Sequence, residues 1–372
     1  MRAILFPYKQ KFNFLLRKVL AVLVLSSVAV GGALANDIDW KSPLGRCWQT
    51  ETGELLKSQI ASDNDSIFVL KAPDSVLALS QSDGQIRWES DLLGNLGGQV
   101  RILGSRLWIA SYFGDQDTGE QSIFRIVEAS TGVPFPANNK ALGADVEIHG
   151  EADSPILMER ETGVLVGLDS SGAIRWKREL GIQVTAFAFQ EKKVVVGTKG
   201  NSLVVLSGAD GSILSQRNTG GVPQSIVALD DDSFAVGDVR GNLRALGGDL
   251  EPIWKTKMGG GISSLEIYGD MIVAASNDNF VYGVDAKSGR KIWKRKLAGR
   301  IIGSDRLSSG IAVYLTTGSD TAVLLDLASG ALVNKFATGD TFSGPPVALK
   351  TGIVLPLENS ILKISDERCE KK

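Results

Sequence analysis

Short apolar runs of five or six residues, bounded by Gly, Asp, Ser or Lys, recur along this chain with a spacing close to forty residues. The clearest copy occupies residues 280–297. Phe280-Val281-Tyr282-Gly283-Val284 is rich in β-branched and aromatic residues, and Lys291-Ile292-Trp293-Lys294-Arg295 alternates again after the turn residues Lys287-Ser288-Gly289. Glycine in that turn is free to take positive φ. The pattern predicts a β-hairpin with a tryptophan four residues beyond the turn glycine.

The unit returns as Gly84 with Trp88, Gly172 with Trp176 and Leu250 with Trp254. Weaker copies turn at Gly132, Gly211 and Gly330, with Pro136, Ser215 and Asn334 where tryptophan would stand. The turn positions 84, 132, 172, 211, 250, 289 and 330 are separated by 48, 40, 39, 39, 39 and 41 residues. A period near forty with about four short strands per period is the signature of a β-propeller.

Both ends of the chain fit the same register. Trp48, in Arg46-Cys47-Trp48-Gln49-Thr50, lies 40 residues before Trp88, yet no first strand precedes it. Residues 352–356 and 360–365 match the opening of a repeat, and the next turn falls due at 369. The expected fold is therefore all-β: an eight-bladed β-propeller of four-stranded antiparallel blades, the last blade closed by both termini. In each blade the motif strand is expected to be outermost. Cys369 then occupies the turn position of the last blade, and Cys47 immediately precedes its tryptophan. A Cys47–Cys369 disulfide follows, with two free thiols near frayed ends as the alternative.

Ahead of the repeats, Arg2, Lys9, Lys11, Arg17 and Lys18 precede the apolar run 19–30 and Ala33-Leu34-Ala35. This reads as a secretory signal peptide over 1–35, with an uncleaved anchor as the alternative, and 36–372 as a single propeller domain. Formal net charge is −2 for the whole chain, and cleavage would make it more acidic, which leaves no electrostatic footprint for nucleic acid.

Three candidate outer strands are dense in cations: Arg175, Lys177 and Arg178; Lys255 and Lys257; Lys291, Lys294, Arg295 and Lys296. Lysine on an edge strand blocks edge-to-edge pairing, and an anionic lipid or RNA surface is the alternative. The 48-residue interval is accounted for by an insertion over 111–122, which carries Tyr112 and Phe113. A loop that departs from the repeat period is a candidate partner contact, with a solvated loop whose aromatics fold back onto the blade as the alternative.

Residues for bond chemistry are sparse. His149 is the one histidine, without a nucleophile-elbow motif, and with two distant cysteines it builds no His/Cys metal site. Asp230-Asp231-Asp232 has carboxylates but no Gly-centred calcium loop, and reads as a solvated turn. Gly259-Gly260-Gly261 lacks a following Gly-Lys-Ser/Thr and reads as a blade-to-blade turn. Asn64-Asp65-Ser66 is a glycosylation sequon only in a eukaryotic secretory pathway. No catalytic residue, cofactor or metal is expected.

The repeat Val-x-x-(Leu/Val)-Asp-x-x-x-Gly-x-x-x-Trp resembles that of the pyrroloquinoline-quinone-like propellers over nearly the whole mature chain. In the quinoprotein alcohol and glucose dehydrogenases of that superfamily, much longer chains, the cofactor site uses adjacent cysteines and acidic residues around calcium. Adjacent cysteines are absent here. Size, signal, blade count and split last blade are similar to the BamB group, periplasmic lipoproteins of the outer-membrane β-barrel assembly machinery. One departure is that Cys47 follows Ala35 by 12 residues, so no lipobox is seen. The resemblance implies an exported, periplasmic, non-enzymatic and monomeric scaffold. Its expected partners are proteins, among them an outer-membrane barrel assembly subunit, and it meets the membrane only through a partner or an uncleaved signal. A quinone-dependent oxidoreductase and a ligand-sensing lumenal or extracellular propeller are the rival readings.

Overall fold

The computed structural model describes residues 38–55, 60–92, 95–113, 121–135, 146–190, 192–230, 232–366 and 369. The expected signal over 1–35 lies outside them. Residues Ile38–Lys372 group into one compact unit. Every named element is a β-strand, and the strands fall into eight antiparallel sheets.

Blades 1 to 7 span residues 61–91, 95–128, 146–179, 184–218, 223–257, 262–296 and 301–337, each a meander in sequence order. Blade 8 takes three strands from 347–366 and its fourth, Leu44–Glu51, from the other end of the chain, paired through Trp48 opposite Lys363. The expected closure by both termini is therefore present. One difference concerns blade 2. Its sheet has three strands among the described residues, and a single bridge between Val127 and Pro134 stands where a fourth would begin. Proline lacks the amide hydrogen that a continuing ladder needs.

Burial grades across each blade. In blade 6 every residue of Met271–Ser276 is buried, and Phe280–Asp285 is buried except at its ends, whereas Lys291–Lys296 has only Trp293 partly covered. The middle strands are apolar on both faces because each sheet is packed between two neighbours. First strands touch first strands of the next blade at the 1–2, 2–3, 4–5, 5–6 and 7–8 junctions, which places them at the centre and the motif strands at the rim. The core is correspondingly divided into eight hydrophobic clusters, one at each blade interface. Val273 and Val281 of blade 6 meet Tyr314 and Leu325 of blade 7, and Leu349 and Ile361 of blade 8 meet Ile67 and Val69 of blade 1. Closure packs blade 8 against both blade 7 and blade 1.

The turns before the motif strands explain why Asp and Ser recur with glycine. Asp285 Oδ1 accepts from the Ser288 amide and hydroxyl at 2.7 and 2.6 Å, and Asp326 holds Ser329 likewise at 2.8 and 2.6 Å. The next residue then enters the left-handed region: Gly289 at φ 70° and Gly330 at φ 66°. The same holds for Gly84, Gly132, Gly172 and Gly211, and for Leu250 at 64°.

Candidate functional site

The motif tryptophans reach from one blade to the turn of the next. Trp293 Nε1 donates to the Leu327 carbonyl at 3.2 Å, and its indole lies across Gly330, where a Cβ would come within 2.4 Å of the ring. Two residues on, Arg295 Nε donates to the Gly330 carbonyl at 2.6 Å. Trp48, Trp88, Trp176 and Trp254 repeat the arrangement on Gly84, Gly132, Gly211 and Gly289, each with an indole hydrogen bond of 2.9–3.2 Å to a carbonyl of that turn. Gly172 faces Phe124 and Ile126 instead.

Where tryptophan is missing, another group fills the space. Blade 4 has Ser215, and there the turn of blade 5 carries Leu250 in place of glycine, 1% exposed and packed with Val205 and Ala186. Blade 7 has Asn334, whose Nδ2 donates to the carbonyls of Trp40 and Ser42 at 3.0 and 2.7 Å. Trp40, outside the repeat motif, is buried between blades 7 and 8. Trp108, also outside it, is buried and stacks on Phe124. Cys47 and Cys369 form a disulfide with a Cα separation of 4.6 Å across 322 residues of sequence.

The first strand of blade 3 and the turn after its second strand bring together a part-buried charged cluster against blade 4, which sequence spacing did not reveal. Arg160 donates to Glu147 through Nε at 2.8 Å and Nη2 at 2.5 Å, and to the Val184 carbonyl through Nη1. His149 Nε2 lies 2.9 Å from the other Glu147 oxygen, and its ring stacks on Phe187 of blade 4 at 4.0 Å. Burial, helped by the nearby Arg101 and Arg160, pushes the imidazole below its ordinary value despite the carboxylate. Burial would raise Glu147, yet His149 and Arg160 hold its carboxyl below the ordinary range. Across the ring, burial raises Glu266, which accepts from Ser304 at 3.2 Å, and Asp305 adds to the rise.

This cluster is a junction between blades. Its hydrogen bonds couple the first strand of blade 3 to Arg160 in the second turn and to blade 4. Among the described residues, no hydroxyl or thiol is hydrogen-bonded to His149, so a Ser-His pair is not assembled there.

The acidic and the glycine-rich sequence candidates form turns. Asp230 Oδ1 accepts from the Asp232 amide and Asp232 pairs with Lys193 at 2.7 Å, which makes a braced turn; Asp231 lies outside the described residues. Gly259 and Gly260 pass so close to Asp278 that a Cβ would collide with its carboxylate or amide. Tyr112 and Phe113 end the strand Arg106–Phe113, opposite Ser122 and Gln121; their side chains and residues 114–120 of the expected insertion lie outside the described residues. Among the described residues no three His, Cys, Asp or Glu side chains group as metal ligands, and no helix is long and apolar enough to cross a membrane. A cavity of about 200 Å³ between blades 7 and 8 is lined by Gln49, Glu51, Asp340, Glu358 and Asn359. It is smaller than the roughly 300–1,000 Å³ of a cofactor-sized pocket, and its walls are polar and acidic.

A family model described as outer membrane protein assembly factor BamB matches residues 40–133, 104–224 and 209–345. Among solved structures, BamB from Moraxella catarrhalis is similar with TM-score 0.66 at 16% identity, over 87% of this chain and 100% of that one. The computationally designed Ika8 protein gives TM-score 0.73 at 12% identity over 86% and 99%, and the C-terminal WD40 domain of Sif2 gives 0.68 at 13% over 87% and 98%. At such identities these likenesses show the fold alone. No curated protein matches.

Proposed function

This chain belongs to the family of the outer membrane protein assembly factor BamB, and from that membership we propose that it is an exported, non-enzymatic propeller scaffold in the assembly of outer-membrane or envelope proteins. The observation that carries the reading is that the matched segments run from 40 to 345 across the blades, so the shared feature is the ring itself. A rigid ring holds many loops in fixed relation on two faces, which suits simultaneous contact with several proteins. The disulfide supports an oxidising compartment such as the periplasm. Residues 1–35 are the proposed export signal, and a monomeric ring is the proposed form.

The proposed partner is an outer-membrane barrel assembly subunit, and the proposed contact is the strand end at Tyr112 and Phe113. The test is affinity capture from solubilised envelopes with the wild type and with a Tyr112→Ser, Phe113→Ser variant. Recovery of the barrel subunit by the wild type, reduced in a variant with unchanged unfolding, supports both statements. Undiminished recovery removes the strand end as contact. Failure to recover any barrel subunit, or quinone absorbance with dye reduction after reconstitution with quinone and calcium, overturns the scaffold reading.

A further inference from the structure

Charge on the rim is distributed unevenly. The outer strands of blades 5, 6 and 7, Pro252–Lys257, Lys291–Lys296 and Leu332–Ala337, carry seven Lys and Arg and no Asp or Glu. Lys255, Lys291, Lys294, Lys296 and Lys335 are exposed, and among the described residues none has a carboxylate within ion-pair distance. Lys291 and Lys294 instead lie over the rings of Tyr282 and Phe280 at 5.6 and 5.4 Å, which fixes their stems against the blade and leaves the ammonium groups at the surface. In the first two positions of the same strands, Ile253, Ile292 and Leu332 are 58, 46 and 47% exposed.

Protection of sheet edges does not account for this placement. Such protection is needed wherever a blade ends, yet the outer strand of blade 1 carries the acids Glu89 and Asp91. In blade 3 Lys177 is neutralised by Glu179 at 2.7 Å while Arg175 and Arg178 donate to the Ala209 and Gly211 carbonyls of the next blade, and the outer strand of blade 4, Ile213–Asn218, has no lysine while exposing Ile213 and Leu214. Among the described residues, outer-strand lysines without a carboxylate partner are confined to this arc of three adjacent blades, in a molecule whose net charge is −2.

We propose that this arc docks on an anionic phospholipid surface, with the lysines at headgroup phosphates and Ile253, Ile292 and Leu332 at the acyl boundary. Charge complementarity selects the occupant's sign, and shape selects its kind. The arc follows the convex rim, with aliphatic side chains spaced one blade apart; a fluid lipid surface conforms to such a rim and accepts both kinds of group. This inference is independent of the scaffold reading, since it needs no protein partner.

The test is sedimentation of the full chain with vesicles of phosphatidylcholine alone or with phosphatidylglycerol, using wild type, a Lys291→Gln, Lys294→Gln, Lys296→Gln variant, and a control with Lys192→Gln, Lys199→Gln and Lys350→Gln. Comparison between variants carries the test, because the basic residues before position 19 are common to all. At about fivefold per lysine, the rim variant is expected to bind phosphatidylglycerol vesicles about a hundredfold more weakly, with an unchanged unfolding curve, while the control stays near wild type. Wild-type binding should fall as salt rises. Equal binding by wild type and rim variant, or an equal loss in the control, overturns the proposal. Binding to polyglutamate without binding to vesicles also overturns it, in favour of an acidic protein segment.

Discussion

Gly330→Ala and Trp293→Ala together test whether the indole-on-turn contact holds neighbouring blades in place. Alanine at φ 66° costs about 1–2 kcal/mol in backbone strain. Its Cβ also arrives 2.4 Å from the Trp293 ring, and overpacking of this kind adds about 1–3 kcal/mol. Gly330→Ala alone is therefore expected to cost about 3 kcal/mol. Trp293→Ala removes a partly buried indole and its hydrogen bond to Leu327, for about 3–4 kcal/mol. In the double variant the ring is gone, so the added methyl meets no clash and only the φ term of about 1–2 kcal/mol remains. The double should cost about 5 kcal/mol, roughly 2 less than the sum of the singles. Chemical denaturation followed by far-ultraviolet circular dichroism measures all four proteins, with an unchanged m-value required for the comparison. Additivity within about 0.5 kcal/mol would show that the two residues do not share the contact described.

Leu250→Gly removes the side chain that fills the tryptophan-less interface of blades 4 and 5. Relief of about 1–2 kcal/mol of strain against a cavity cost of about 2–5 predicts net destabilisation, and adding Ser215→Trp should restore stability in denaturant titrations. For the Cys47–Cys369 bond, the chain-entropy model with a 322-residue separation predicts loss of up to about 5–6 kcal/mol on Cys47→Ser. Non-reducing mass mapping that finds free thiols at both positions would remove the basis of that prediction. His149 should titrate below the ordinary histidine value of about 6.5. With a folded pKa beneath the unfolded one, its contribution to stability is present above the unfolded value and lost as pH falls through the folded one. As the sole histidine, it is read directly from imidazole carbon–proton shifts against pH.

The register of the ring was legible because strictly local chemistry repeats. A turn that needs positive φ selects Gly84, Gly172, Gly211, Gly289 and Gly330 at nearly constant spacing, and Trp48 and Cys369 extend the same count to the split blade. The target of each tryptophan was less visible, since the Trp293 contact at Gly330 lies in the following repeat. Leu250 stood at a turn position in the sequence, but its role depends on Ser215, 35 residues earlier. Asn334, in a tryptophan slot, was the one signal for Trp40, whose carbonyl it holds from 294 residues away. The Glu147, His149, Arg160 and Phe187 cluster left no periodic trace. It joins inner-strand and turn residues of two blades, so no spacing within one repeat announces it.

The outer strand of blade 8 has a consequence for the order of events in folding. Leu44–Glu51 precedes its partner Ser360–Asp366 by seven intervening blades, so this pairing waits while seven local meanders form from neighbouring sequence. Until it closes, the apolar flanks of blades 7 and 1 have no cover: Val313 and Leu324 on one side, Ile67 and Leu77 on the other. A chain stalled before residue 352 would be a nearly complete arc with two sticky ends, prone to capture another such arc. The period of greatest hazard therefore follows the emergence of blade 7, when the contacts within the other blades are already made.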